Sequence, residues 1–214
     1  MNRVNAAQPS PVAGRYPASE AELSARTRAL ESLLLERGLL GDDTVDRIVD
    51  VYQREIGPLR GAAVVARAWV DPDFKELLLH DAPAACAQLG IAGLRGEHLI
   101  ALENTQSVHH VVVCTLCSCY PWAVLGLPPS WYKSPPYRAR VVLEPRRVLS
   151  EDFGLQLDPD TDVRVVDSSA EVRYMVVPQR PAGTDGLSEA ELAACVTRDS
   201  MVGVARARIP EPTA

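Results

Sequence analysis

Three cysteines fall within six residues, in the stretch Val113-Cys114-Thr115-Leu116-Cys117-Ser118-Cys119-Tyr120, and a fold that brings their sulfurs onto one ion must bend the chain tightly there. A C-x-x-C pair running directly into C-x-C gathers three soft thiolates, the ligands that transition metals select. If Cys117 and Cys119 grip one ion through sulfur, the backbone nitrogens of Ser118 and Cys119 are forced against the same ion. The result is a claw of three sulfurs and two nitrogens. Main-chain nitrogens bind only when stripped of their protons, which calls for a strongly Lewis-acidic trivalent ion such as cobalt or iron. Five donors on an octahedral ion leave one position open, and an open position implies catalysis.

Three plainer readings compete. A structural zinc site takes four Cys/His ligands as two separated pairs, whereas the other cysteines, Cys86 and Cys195, stand alone. A thioredoxin-like redox pair wants C-x-x-C at a helix start after a strand, which Val111 to Val113 partly supplies. The third cysteine and Pro121 work against that fit. Free cysteines also serve as small buried hydrophobes, although three in six residues is dense for that role.

The bend lies inside a long segment, Asn104 to Tyr132, that contains no Lys, Arg, Asp or Glu. Its length matches a membrane span, but Pro121, Pro128 and Pro129 break it and fit a buried loop around a site better. We therefore expect no membrane crossing. A net charge of −6 and no basic cluster denser than Arg138-Arg140 or Arg146-Arg147 argue against nucleic acid or anionic lipid as a partner. The N-terminus lacks an apolar signal core, and an odd number of cysteines without disulfide-like spread fits a reducing compartment, so the expected location is the cytoplasm.

Along the chain, residues 1–18 read as a flexible tail carrying Pro9, Pro11 and Pro17. Ser19 and Glu22 form a capping box for a helix with Leu23, Leu30, Leu33 and Leu34 on one face, stopped by Gly38. A second helix runs from Asp42 or Asp43 to Gly57 with Val45, Ile48, Val49, Tyr52 and Ile56 on one face. Pro58 opens a third, Asp71-Pro72 a fourth, and Asp81-Ala82-Pro83 restarts the chain toward Gly90. After Gly96, residues 98–102 and 108–113 read as strands, the second entering the cysteine bend. Pro135 to Phe153 reads as helix broken at Pro145. Residues 163–166 and 171–177 are β-rich, joined by an Asp167-Ser168-Ser169 turn, and Ser188 with Glu191 caps a last short helix. The expected class is α+β: a helical arm over 19–93, then a mixed α/β domain over 94–214 with layered sheets carrying the bend.

Cys114-Thr115-Leu116-Cys117-Ser118-Cys119-Tyr120-Pro121-Trp122 resembles the metal claw of the nitrile hydratase alpha subunit. The likeness extends to Leu125-Gly126-Leu127-Pro128-Pro129, Trp131-Tyr132-Lys133, Tyr137-Arg138-Ala139-Arg140, Arg173-Tyr174, Arg180 to Thr184, Val196 to Met201, Val65 to Trp69 and Gly96-Glu97-His98, covering about residues 20 to 204. It implies a non-corrin metal held by the sulfurs of Cys114, Cys117 and Cys119 and the main-chain nitrogens of Ser118 and Cys119. Thr115 and Tyr120 are the residues that accompany cobalt in this family, so cobalt(III) is expected, with iron(III) the weaker alternative.

The family also oxidises the second and third claw cysteines, which makes Cys117 a sulfinate, Cys119 a sulfenate, and both the expected catalytic groups. Arginines for these oxyanions come from a beta subunit, implying an (αβ)2 assembly that hydrates a small nitrile to an amide, with either hydroxide or the Cys119 sulfenate oxygen as nucleophile. The related thiocyanate hydrolase gamma subunit carries the same claw, and a non-catalytic metal or thiol carrier is the alternative from another class. Arg95, His110 and Ala123 depart from the family pattern, where Gln, Asn and Pro are common, and none is a claw ligand. His80 and His98 read as surface or satisfied core groups. Adjacent His109 and His110 face opposite sides of a strand, so they cannot both reach a metal. Trp122, Trp131 and Tyr132 belong to a pocket wall, an interface or simple packing, and Arg173 to the surroundings of the claw or to a subunit contact.

Overall fold

A computed structural model of the protein describes residues 20–91 and 98–210. The expected tail over 1–18, the Ser19 cap of the first helix, and Arg95, Gly96 and Glu97 lie outside the described residues. By its internal contacts the chain divides into two compact units, Met1–Ile48 and Val49–Ala214.

In the first unit, helix α1 (Glu20–Glu36) matches the expected helix and carries an Arg26–Glu22 ion pair one turn apart. Its apolar stripe is not packed: Leu23, Leu30 and Leu33 are each about half exposed. Helix α2 (Thr44–Asp50) also buries no residue. The single helix expected from Asp43 to Gly57 changes character along its length, with a π-helical turn over Val51–Ile56 following α2. That turn is closed by the Gly57 amide donating to the Tyr52 carbonyl at 3.0 Å.

The second unit holds the core. Helices α3 (Leu59–Val70), α4 (Pro72–His80) and α5 (Ala82–Gln88) start where the sequence places them. Asp71 accepts from the Phe74 amide and Asp81 from the Ala84 amide, each at 3.0 Å. Such caps are worth about 1 kcal/mol apiece, and a proline in the first turn gives up no hydrogen bond. Four strands follow as two parallel pairs. β1 (His98–Glu103) pairs with β4 (Val172–Val177), and β2 (Val108–Val113) pairs with β3 (Asp162–Asp167). The two β-rich runs around Asp167-Ser168-Ser169 therefore do not form a hairpin. Each instead lies alongside an earlier strand of a different sheet, and β2 also touches β1 and β4, so the sheets are layered.

Helices α4 and α5 pack on β1, and α11 (Arg198–Val202) packs on β2 and β4. Covered in this way, β2 reads as a run of buried residues rather than an alternation, with Val111, Val112 and Val113 at most 2% exposed. Burying each such side chain contributes on the order of 2 kcal/mol, which makes β2 a firm base for the bend that follows it.

Between β2 and the broken helix, the segment expected as loop contains two single-turn helices, α6 (Trp122–Leu125) and α7 (Ser130–Lys133). Helices α8 (Pro135–Leu143) and α9 (Pro145–Phe153) follow, divided at Pro145 as expected. Arg140 ties them together, pairing with Glu144 and, across to α9, with Glu151 and Asp152 at 2.9 to 3.1 Å. Helix α10 (Glu189–Ala194) carries the expected Ser188–Glu191 capping box. Helix α11 has a second box, Thr197 with Ser200, which the apolar pattern did not reveal because the helix is only five residues long.

The base of β2 is tied down by a buried polar knot. His109 Nε2 donates to the Gly203 carbonyl at 2.7 Å, and its Nδ1 accepts from the Asn104 amide at 3.1 Å. The Asn104 side-chain oxygen accepts from the His110 main-chain amide at 2.7 Å and from its Nδ1 at 3.2 Å. Both rings are buried and serve the scaffold. Burial, joined by the nearby charges of Arg206 for His109 and Arg164 for His110, holds both imidazoles below their ordinary pKa.

The folded chain thus keeps these rings neutral while the unfolded chain takes up protons first. Stability should be full above about pH 6.5 and fall as pH drops toward the folded values, by up to about 1.4 kcal/mol per pH unit for each ring. Unfolding midpoints measured from pH 7.5 to 5 should decline, and the His109→Gln variant should decline less steeply. Parallel slopes for the two proteins would contradict this assignment.

Candidate metal centre

Strand β2 ends at Val113 and the chain turns at once, so the position of Cys114 follows from the sheet. Cys114 is fully buried, Cys119 is partly buried and Cys117 is exposed. The three sulfurs nevertheless converge. Cys114 Sγ lies 3.4 Å from Cys117 Sγ, and Cys117 Sγ lies 3.0 Å from Cys119 Sγ. All three sit within 4.8 Å of one another, the compactness that three ligands on one ion require.

The bend is held by its backbone from three directions. In the β2–β3 register Val113 stands opposite Asp167. The Asp167 carboxylate therefore accepts from the Thr115 amide at 2.9 Å and from the Thr115 hydroxyl at 2.5 Å. From α7, the buried Tyr132 hydroxyl donates to the Cys119 carbonyl at 2.9 Å. From α8, the Arg138 guanidinium donates to the Cys117 carbonyl at 3.1 Å, and Tyr137 donates to the Val112 carbonyl at 2.7 Å. Tyr132 and Tyr137 also join Trp131 and Phe153 in an edge-packed aromatic cluster, so the phenols that reach the bend are themselves locked in place.

The thiols are electrostatically unequal. Hydrogen bonding from Cys119 and Cys114 lowers Cys117 to about 7, helped by the main-chain amides of Ser118 and Cys119. Burial pushes Cys119 up to about 12, as does its contact with Cys117, while the charge of Arg173 on β4 acts in the opposite sense. Three cysteine sulfurs within 4.8 Å of one another fit a thiophilic transition metal. Cys86 and Cys195 are buried elsewhere as isolated thiols, and burial raises both.

The structure thus gathers the sulfurs of Cys114, Cys117 and Cys119, with Ser118 between the last two in sequence, and keeps the four histidines out of the cluster. His80 and His98 are exposed, and His109 and His110 form the knot below β2. Tyr132 is fully buried and Trp131 packs in the aromatic cluster. Trp122 is 40% exposed and meets Tyr52 edge-on. Ala123 lies half-buried in α6. The exposed rim is the main departure from the expected buried loop: Leu116, at the tip of the bend, is 89% exposed, and Leu143 on α8 is 85% exposed. No part of the described chain covers them.

The sequence reading missed two braces of the bend. Asp167 looked like a turn residue, and only the parallel β2–β3 register brings it beside Thr115. Arg138 was visible as part of a sparse basic pair and of a resembling motif but not as a brace, because nothing in a helical pattern marks one arginine as facing a backbone carbonyl.

A family model described as nitrile hydratase, alpha chain matches residues 21–205. The cobalt-containing nitrile hydratase subunit alpha of Pseudonocardia thermophila is 58% identical over 87% of this chain and 92% of its own length. Thiocyanate hydrolase subunit gamma of Thiobacillus thioparus is 43% identical over 86% of this chain and 78% of its own length. Among solved structures, a double mutant of an Fe-type nitrile hydratase from Comamonas testosteroni Ni1 superposes with a TM-score of 0.78 at 41% identity, covering 92% of this chain and 98% of that one. With the same fold, the converged cysteines and a family match over nearly its whole length, this chain belongs to the nitrile hydratase alpha-chain family.

Proposed function

We propose that the chain is the metal-bearing alpha subunit of a nitrile hydratase, converting small nitriles to amides. The observation that carries this is the convergence of three sulfurs within 4.8 Å on a braced bend, in a chain 58% identical to a cobalt-containing subunit. Cys114, Cys117 and Cys119 hold the ion by sulfur, and Ser118 and Cys119 by their main-chain nitrogens. A non-corrin cobalt(III) ion held there would supply Lewis acidity to the nitrile. Cobalt is favoured over iron by the higher identity to the cobalt-containing relative than to the Fe-type one.

Cys117 is carried as a sulfinate and Cys119 as a sulfenate, steps of thiol oxidation for which Cys117, exposed and lowered to about 7, is the more accessible thiol. Either hydroxide would add to the nitrile carbon, with proton transfer completing the amide, or the Cys119 sulfenate oxygen would add to it and a water molecule would then release the amide and restore the sulfenate. The bare rim at Leu116 and Leu143 and the half-exposed stripe of α1 support a beta subunit as a covering partner, supplying arginines to the oxidised sulfurs in an (αβ)2 assembly. Among the described residues no helix is long and apolar enough to cross a membrane, and all five cysteines are free, which supports a cytoplasmic location.

A thiocyanate hydrolase gamma-type role is the second reading, favoured by the 43% identity to that subunit. Purifying the chain with its natural partners after growth on cobalt, then assaying acrylonitrile and thiocyanate, separates the readings. Acrylamide formation with thiocyanate untouched is expected. Preferred thiocyanate turnover moves the chain to the second reading, and no turnover with loosely held metal makes it a carrier.

A further inference from the structure

Arg138 touches the bend at its backbone rather than at its sulfurs. Its Nη1 donates to the Cys117 carbonyl at 3.1 Å and lies 3.5 Å from the Thr115 carbonyl. The Cys117 carbonyl and the Ser118 nitrogen belong to one peptide unit, which is planar and trans, so oxygen and amide point in opposite directions. Anchoring the oxygen on α8 therefore turns the Ser118 N–H the other way, away from the Arg138 guanidinium.

We propose that Arg138 is a positioning residue for the main-chain donors of the claw: it sets the Cys117–Ser118 peptide so that its nitrogen faces the sulfurs, and places a positive charge at that peptide's oxygen. The charge matters because an amide that binds a cation through nitrogen gathers electron density on its oxygen, and a guanidinium there is the complementary group. This inference rests on the reading of the bend as a metal centre with amide donors.

The support around Arg138 suits that role. Its helix is pinned to β2 by the Tyr137–Val112 bond and to α9 by Arg140 with Glu151 and Asp152, so the side chain starts from a fixed base. Arg138, with Thr115, Val142 and Leu143, lines a cleft of about 400 Å3 beside the bend. Its Nε is buried without a hydrogen-bond partner among the described residues. An arginine that leaves one donor unmet while spending another on the bend is placed for the bend rather than for its own solvation. Lysine would keep the charge but lose the rigid fork that fixes direction.

The test uses the whole complex with its natural partners, grown with cobalt, comparing wild type with Arg138→Met, Arg138→Gln and Arg138→Lys. Cobalt per chain, the visible absorption of the centre and the rate of cobalt release to a chelator are read beside the unfolding midpoint. Arg138→Met should hold less than about one-tenth of the wild-type cobalt or release it at least about tenfold faster, at an unfolding midpoint near wild type, with Lys intermediate and better than Gln. Unchanged cobalt, spectrum and release rate in Arg138→Met would overturn the proposal. If Arg138→Met does not assemble, the Lys and Gln variants decide, and equal cobalt retention in those two overturns it. A wild-type complex that binds no cobalt sinks the metal-centre reading as well, whereas a loaded wild type with unaffected variants removes only the role of Arg138.

Discussion

Changing Cys117 to Ser should cut nitrile hydration by at least about 10³-fold while leaving the fold nearly untouched. Cys117 is the middle sulfur, within 3.4 Å of Cys114 and 3.0 Å of Cys119, so its loss leaves the outer two without the ligand between them. A serine oxygen is a hard, weakly acidic donor that does not replace a soft thiolate. Losing Lewis acidity at such a site removes several kcal/mol of transition-state stabilisation, and about 4 kcal/mol corresponds to the thousandfold drop. The Cys117 side chain is exposed, so the unfolding free energy should move by less than about 1 kcal/mol. Steady-state kinetics, cobalt content and the unfolding midpoint of the assembled variant check all three parts. Retained cobalt with near-normal turnover would contradict the assignment.

The second large effect is structural. Gly203 caps α11 with φ +90°, and a Cβ added there would lie 2.0 Å from the His110 carbonyl oxygen and 3.1 Å from Val111 Cα. The same residue's carbonyl receives the His109 Nε2 bond at 2.7 Å. Gly203→Ala therefore combines backbone strain, a clash with β2 and damage to a buried hydrogen bond, for an expected loss of about 4 kcal/mol or failure to accumulate as folded protein. Gly90 offers the control. Its φ of +70° is similar, but no atom lies within 4 Å of the added Cβ, so Gly90→Ala should cost only about 1 kcal/mol. Denaturant unfolding of both variants separates clash from strain, and equal losses would contradict this account of Gly203.

What the sequence made legible follows from how local each signal is. Helix starts at Pro58, Asp71-Pro72 and Asp81-Ala82-Pro83 were readable because a cap and a proline act within one turn. The claw was readable because Cys114, Cys117 and Cys119 are neighbours in sequence as well as in space. The parallel pairing of β1 with β4 and of β2 with β3 was not, since register between strands more than fifty residues apart leaves no local mark. Asp167 was hidden for the same reason, being assigned to a turn although it is the last residue of β3 and braces Thr115. The π-helical turn at Val51–Ile56 continues an ordinary helical pattern, so periodicity gave no warning of it. Strand geometry argued only that adjacent His109 and His110 cannot both reach one ion, and their shared partner Asn104 became visible only when the chain between β1 and β2 folded back on itself.

The central claim is that this bend grips one trivalent ion through three sulfurs and two amides and carries oxidised cysteines. Metal analysis together with the mass of the claw peptide from the purified complex tests it most directly. The account predicts one cobalt per chain and a peptide heavier by about three oxygens, two on Cys117 and one on Cys119, as sulfinate and sulfenate require. A complex carrying readily removed zinc on unmodified thiols would contradict it.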